Sequence, residues 1–313
     1  MIRGEIMGIN VLSLCDGISC CQISLKELNV DINKYYASEI DKIPIKITQD
    51  NFPNTIQLGD VVALSKNTEF LKTLPKIDLV AFGSPCVSIS KATAGRNEYN
   101  NGLKGKSNIF YPCNDILQWI KKNNNPDIEF LIENVSNGSK QDDIDKMSEL
   151  IGVKPILINS NLFSAQDRER LYWTNIPVGE LPTVCDIVLG DILDKEVDEK
   201  YYYKESFDFY GEDKKVCATL HINGHDILKR VNSKKFKCQT LTACRGGNHQ
   251  KKVYDNGRCR KLTPNEYRKL QTIPDWYIMN VADSHIYNTC GDGWNIETIK
   301  FILKFSKICM KNI

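Results

Sequence analysis

No stretch of this sequence reaches the roughly 18 consecutive apolar residues that a membrane-spanning helix needs, so no membrane segment is expected. The first ten residues, MIRGEIMGIN, lack the apolar centre of a secretory signal, and the expected location is the cytoplasm. Disulfide and zinc signatures are missing too. Twelve cysteines are scattered along the chain with no C-x-x-C pair, and the neighbours Cys20 and Cys21 are badly placed to ligate one ion. Structural zinc needs ligand pairs of a different spacing, so no metal is expected. In a reducing compartment free thiols are the expectation. Repeats and low-complexity segments are absent as well, which leaves one large or two ordinary domains for 313 residues. The net charge of +2 is close to neutral and names no partner by itself.

What the first half has is rhythm. Short apolar runs predict strands at residues 10–14, 34–38, 55–58, 77–82, 128–132 and 155–158, and helical patterns predict helices near 19–29, 42–50, 107–123 and 139–151. Strands alternating with helices indicate an α/β fold: a doubly wound, mostly parallel sheet covered on both faces. Such sheets bind ligands outside the carboxyl ends of their strands. The residues that follow each run are Cys15-Asp16-Gly17, Glu39, Gly59-Asp60, Ser84-Pro85-Cys86 and Glu133-Asn134. Polar loops are ordinary. A Pro-Cys at a strand end is less so, because a structural cysteine behaves as a small hydrophobe and needs no exposed loop, whereas a nucleophile must reach its substrate. After Cys86 comes VSISKATAGRNEYNNGLKGK, residues 87–106, a long loop of the kind that closes over a substrate.

Between about 179 and 287 the βαβ rhythm stops and charge separates. Residues 179–213 carry 11 acids against three lysines, a net of −8, and residues 214–261 carry 13 Lys and Arg against two aspartates, a net of +11. The basic segment, without helical period and with Gly246-Gly247 inside it, suggests a loop-rich surface facing phosphates; a solvated charged face is the plainer alternative. Thr263, Pro264 and Glu266 form a capping box with proline at the first helical position. Ile299, Ile302, Leu303 and Ile308 supply one face of a C-terminal helix.

Taken in order, LSLCDGIS, SEID, GDV, GSPC, ENV, QDRER, RKLTPNE and GDGW resemble the motif series of the cytosine-C5 DNA methyltransferases, over about residues 11–173 and again 239–304. The resemblance implies a Rossmann-like class I fold with S-adenosylmethionine as cofactor. It implies a catalytic domain of residues 1–178 plus 288–313, a smaller target-recognition domain of residues 179–287, and duplex DNA as partner, with a cognate restriction endonuclease as a further one. It places the nucleophile at Cys86, with Glu133 near the ring nitrogen of cytosine, Arg170 near its exocyclic oxygen, and Arg168 holding Glu133, the loop or a phosphate. A thiolate suits this reaction because carbon 5 becomes nucleophilic only after addition at carbon 6, and the cation and acid stabilise the charge that addition creates. The cofactor set implied is Asp16, Gly17, Ile18, Glu39, Ile40, Asp60, Val61, Ser84, Pro85, Asp292 and Trp294. Here Glu39 takes the ribose diol, Asp60 the adenine amino group, and Ile18, Ile40 and Val61 the adenine faces. Ser88, Arg96, Thr240, Thr242, Arg245 and Lys252 are the implied DNA contacts, for a base that must be flipped from the duplex.

Four positions depart from the pattern: Cys15 stands where phenylalanine is common, Cys21 where glycine is, Val87 where glutamine or asparagine is, and Asp292 where asparagine is. None removes a bond-making group. Two other readings remain open: a non-enzymatic DNA-binding relative, against which Cys86, Glu133 and Arg170 argue, and a tRNA methyltransferase on the same fold, against which the basic segment and the missing Cys-Phe-Thr of that branch argue.

Overall fold

The computed structural model describes residues 8–85, 106–136, 141–244 and 247–310. The chain divides into two compact units, one made of the described residues of Met1–Ile158, Glu169–Glu180 and Ile299–Ile313, the other of those of Asn159–Arg168 and Leu181–Thr298.

Eight strands run through the first part of the chain: β1 Ile9–Leu14, β2 Ile32–Ser38, β3 Ile56–Gln57, β4 Leu79–Gly83, β5 Glu129–Val135, β6 Ile156–Asn159, β7 Gln166–Asp167 and β8 Glu169–Thr174. All but β7 form one seven-stranded sheet in the order β3-β2-β1-β4-β5-β8-β6. β1 pairs in parallel with both β2 and β4, so the strand order reverses at β1; such sheets bind ligands outside the carboxyl ends of the strands at that point. β4 pairs in parallel with β5, whereas β5 and β8 are antiparallel. β8 therefore begins at the rim where β5 ends.

The sequence makes this sheet because its runs are apolar on both faces, as buried parallel strands require. Leu12, Leu14, Val80, Phe82, Phe130 and Ile132 alternate onto one face and pack against Phe110, Ile116, Leu117 and Ile120 of the Phe110–Asn123 helix and Met147 and Ile151 of the Gln141–Ile151 helix. The intervening Val11, Leu79, Ala81 and Leu131 are equally buried. Helices Cys20–Glu27, Lys42–Asn51 and Val61–Lys66 follow β1, β2 and β3. The second and third start at aspartates, Asp41 and Asp60, whose carboxylates accept from Ile43 and Val62 N–H groups.

In the second unit β9 Phe207–Phe209, β10 Val216–Leu220, β11 Arg230–Asn232, β13 Lys252–Asp255 and β14 Arg258–Lys261 form a sheet in the order β14-β13-β11-β10-β9, while β12 Cys238–Gln239 pairs with β7. Among the described residues, Cys217, Ala218, Leu220, Ile222, Val231 and Cys259 form one apolar cluster of this unit. The Pro264–Leu270 helix opens with the capping box, Thr263 accepting from the Glu266 N–H and Glu266 from the Thr263 N–H. At the C-terminus the apolar face is divided, with Ile299, Ile302 and Leu303 on the Ile296–Leu303 helix and Ile308 on a separate short helix. Among the described residues no helix is long and apolar enough to cross a membrane, and no cluster of His, Cys, Asp and Glu is arranged to hold a metal.

Candidate active site

The loop after β1 is under backbone strain. Cys15, Gly17 and Ser19 have φ of 52°, 57° and 53°, three left-handed residues in five, and two of them carry side chains that disfavour that conformation. The chain tolerates it because every turn of the loop is tied. Asp16 N–H donates to the Ser38 carbonyl at 3.2 Å and Ser19 N–H to the Asp16 carbonyl at 3.0 Å. Tyr35 Oη donates to Asp16 Oδ1 at 2.8 Å, and the Ser19 hydroxyl donates to Oδ2. Burial pushes the Asp16 carboxyl up to about 6; hydrogen bonds from Ser13, Ser19 and Tyr35 oppose that rise, and the charge of Glu39 adds to it. Gly17 N–H donates to Glu39 Oε2 at 2.9 Å. A Cβ added at Gly17 would meet no described atom within 4 Å, so the glycine leaves open space where a ligand's backbone-like groups can approach.

Glu39 is held by three main-chain donors, since Oε1 also accepts from the N–H groups of Ile40 at 2.7 Å and Asp41 at 2.9 Å. A carboxylate offers about four lone-pair sites, so acceptor capacity remains for a diol. Beside it Ile40 is 73% exposed, an isolated apolar face next to a fixed acceptor. Asp60 is exposed and uses one oxygen to cap its helix, accepting from Val62 N–H at 2.9 Å. Ile18 and Val61 lie differently from the expectation: both are buried, Val61 within the main core, so of the three suggested adenine-facing residues only Ile40 presents a free apolar surface. Open glycine, oriented carboxylate and exposed isoleucine on adjacent strand ends fit a nucleoside with a charged tail.

At the neighbouring rim the register pairs Gly83 with Glu133. Ser84 is buried and Pro85 exposed. Asn134 Nδ2 donates to both the carbonyl and the hydroxyl of Ser84, at 3.4 and 3.2 Å, and its Oδ1 accepts from Val135 N–H at 2.8 Å. Asn134 thus fixes the backbone immediately before Cys86. In the sequence, its place directly after Glu133 is the only signal of this task. Across the antiparallel pair, Glu133 faces Tyr172 and Val135 faces Arg170. The two-residue period puts all four on one face and makes Glu133 and Arg170 diagonal neighbours. Arg170 Nε meets Glu133 Oε1 at 2.8 Å, and Nη1 donates to the Glu169 carbonyl at 2.8 Å. Cys86, Ser88, Arg96 and Arg245 lie outside the described residues.

The remaining candidates belong to the second unit. Arg168 is 3% exposed, and its guanidinium donates to the carbonyls of Leu241 at 2.9 Å, Gly291 at 3.1 Å and Gly293 at 2.9 Å. Its guanidinium is thus engaged with main-chain carbonyls of that unit. Thr240 Oγ1 donates to the Asp167 carbonyl at 2.6 Å, which commits the proton that a phosphate oxygen would need, whereas Thr242 is exposed. Lys252 corrects the reading of the basic segment. It is 1% exposed, and its ammonium donates to the carbonyls of Asn248 at 2.7 Å and Gln250 at 2.9 Å, so it does not face a phosphate. Burial and the neighbouring Lys251 and Lys261 push it down to about 7. Asp292 is exposed and Trp294 half-buried, on the turn that follows the Asp283–Asp292 helix.

The sequence profile of the family described as C-5 cytosine-specific DNA methylase matches residues 9–307. The chain is 25% identical over 305 residues to the Type II methyltransferase M1.ScrFI of Lactococcus lactis subsp. cremoris, covering 87% of this chain and 71% of that one. It is 24% identical over 315 residues to the Type II methyltransferase M.DsaV of Dactylococcopsis salina, covering 94% and 84%. Its fold is that of the Entamoeba histolytica methyltransferase EhMeth, with a TM-score of 0.64 at 16% identity over 97% of this chain and 98% of that one. Motif order, rim geometry and the span of the match agree, and the chain belongs to the C-5 cytosine-specific DNA methylase family.

Proposed function

We propose that this enzyme methylates carbon 5 of a flipped-out cytosine in duplex DNA, at a specific sequence, through a transient bond between Cys86 and carbon 6. The observation that carries the reading is the Arg170–Glu133 pair, held at 2.8 Å on the rim beside the Ser84-Pro85 approach to Cys86. In the proposed reaction the Cys86 thiolate adds to carbon 6, and the carbon 5–carbon 6 π pair moves toward carbon 5, supported by polarisation at ring nitrogen 3 and the exocyclic oxygen. Glu133 bonds at nitrogen 3 and Arg170 at the oxygen, where negative charge grows. Carbon 5 takes the methyl group as the donor's carbon–sulfur bond breaks, its electron pair staying on that sulfur. Removal of the carbon 5 proton by a base then restores the double bond and expels the thiolate.

S-adenosylmethionine, when bound, supplies the electrophilic methyl group. Glu39 would bind its ribose hydroxyls, Ile40 would cover one face of its adenine and Asp60 would accept from the adenine amino group. Gly17 would leave room for the methionine portion and Asp16 would attract its cationic groups; Asp292 and Trp294 are read as further cofactor contacts. The residues between 179 and 287 read the DNA, with Thr242 on the backbone near the flipped nucleotide, and residues 1–178 with 288–313 perform the chemistry. A restriction endonuclease of the same specificity is the partner such an activity would protect against.

The test is transfer of labelled methyl to unmethylated genomic DNA and, in parallel, to tRNA. Label is expected in DNA and absent with Cys86→Ala, and an oligonucleotide with 5-fluorocytosine at the site found by bisulfite sequencing should stay attached to the native protein. Label in tRNA alone transfers the reading to an RNA substrate. A Cys86→Ala protein that still methylates DNA defeats the covalent mechanism.

A further inference from the structure

The two halves of the QDRER motif do different work, and the first half points to a coupling device. Gln166 is fully buried; its Oε1 accepts from Leu241 N–H at 2.9 Å, and its Nε2 donates to the Leu270 carbonyl at 3.0 Å and to Gln271 Oε1 at 3.2 Å. Arg168 then takes the other main-chain group of Leu241, its carbonyl. Both hydrogen-bonding groups of one residue are thus gripped by two buried side chains two positions apart. The same guanidinium closes the Asp283–Asp292 helix, binding the Gly291 carbonyl in its last turn and the Gly293 carbonyl at its C-cap. A buried cation is stabilised there by the negative end of the helix dipole. Gln271 adds a second clamp on that turn, its Nε2 donating to the carbonyls of Cys290 at 2.5 Å and Gly293 at 3.0 Å.

Contact between the two gripped segments is direct. A Cβ at Gly291 would lie 2.3 Å from Ala243 N and 2.3 Å from the Thr242 carbonyl carbon, so only glycine lets the helix end lie on the 242–243 backbone. One gripped segment carries Thr242; the other runs through Asp292 into Trp294. Both side chains are buried; Arg168 bonds carbonyls of both segments, and Gln166 ties the first of them to the end of the Pro264–Leu270 helix.

We infer that Arg168, with Gln166 and Gly291, couples DNA binding at Thr242 to cofactor binding at Asp292 and Trp294, as a positioning residue rather than a catalytic one. This rests on the proposed function, which puts the two ligands on those segments. Ordering the Gly291–Trp294 turn around the cofactor orders Leu241 through the shared guanidinium, so DNA meets a Thr242 that is already placed. The reverse holds by linkage. Lysine cannot replace the fork, since one ammonium cannot span three carbonyls in a fixed plane.

The experiment measures DNA affinity with and without S-adenosylhomocysteine, and S-adenosylhomocysteine affinity alone, for the native protein and Arg168→Lys, with hydrogen exchange on the native protein. In the native protein the cofactor product is expected to tighten DNA binding about five-fold or more and to slow amide exchange at Leu241 and Ala243 before any DNA is added. In Arg168→Lys the coupling factor falls toward one, while affinity for S-adenosylhomocysteine alone changes about two-fold or less. If that variant does not fold, the native exchange result decides. Native protein that binds both ligands with no coupling, or no slowing at 241–243, overturns the inference and leaves the proposed function standing. Native protein that binds neither ligand removes both.

Discussion

Arg170 meets Glu133 at 2.8 Å in the first unit, and Arg260 meets Glu266 at 2.8 Å in the second. The first pair keeps 13% and 11% of its side chains exposed; both members of the second are fully enclosed. Around Glu266 every acceptor site has a structural use: Asp194 N–H, Thr263 N–H and two guanidinium nitrogens of Arg260, which also reaches Asp255. Distance alone therefore does not separate the two pairs. The difference lies in where the fold puts them, one at the carboxyl rim of the parallel sheet, the other at a helix N-terminus.

Substitution should separate the two pairs by what each one damages. Glu133→Gln is expected to lower the methyl-transfer rate by about 10²–10⁴-fold, the range for losing a group that handles a proton or its charge, with the thermal midpoint little changed; a variant that loses stability instead would make the rim pair structural. Arg260→Met should do the reverse, lowering stability by about 3–5 kcal/mol because Glu266 is left buried and unpaired, as read by urea unfolding. Glu39→Gln is smaller again. Loss of a charged acceptor for the ribose hydroxyls should weaken cofactor binding about ten-fold, from ~1.5 kcal/mol per charged hydrogen bond, without altering DNA affinity in the absence of cofactor.

An effect of comparable size is expected in the pH dependence of stability. Asp16 sits at about 6 in the fold against an ordinary 3.8, chiefly through burial. Between those values the folded chain keeps a proton that the unfolded chain releases, so stability falls as pH rises through that window and stays lower above it. Asp16→Asn should flatten this stretch of the curve and raise stability near neutral pH by about 1–2 kcal/mol. A curve that keeps its slope would trace the titration to another group.

The rim was legible because a doubly wound sheet forces functional groups into loops after strands, and those loops are short enough to be read as motifs. Glu39, Asp60, Glu133 and the Ser84-Pro85 approach all stand where strand-end reasoning puts them. Side-chain destinations were not legible. Arg168 and Arg170 are alike in sequence, yet β7 ends at Asp167 and β8 begins at Glu169, and the break sends one into each unit. Lys252 counts as positive charge in any tally, but β13 turns it inward onto carbonyls. Short elements also escaped: the helices Val61–Lys66 and Thr68–Thr73 are six residues each, too brief for a period to register.

The reversed direction of β8 has an evolutionary consequence. Its first residues lie opposite the last residues of β5, so the guanidinium and the carboxylate meet through the ladder itself, whatever the chain does between residues 136 and 168. The loops of that excursion can lengthen or shorten without moving either group, as long as both strands keep their register and the Gln141–Ile151 helix and β6 keep their places on the sheet. A lineage under pressure to alter its surface could therefore remodel those loops while the pair stayed in place.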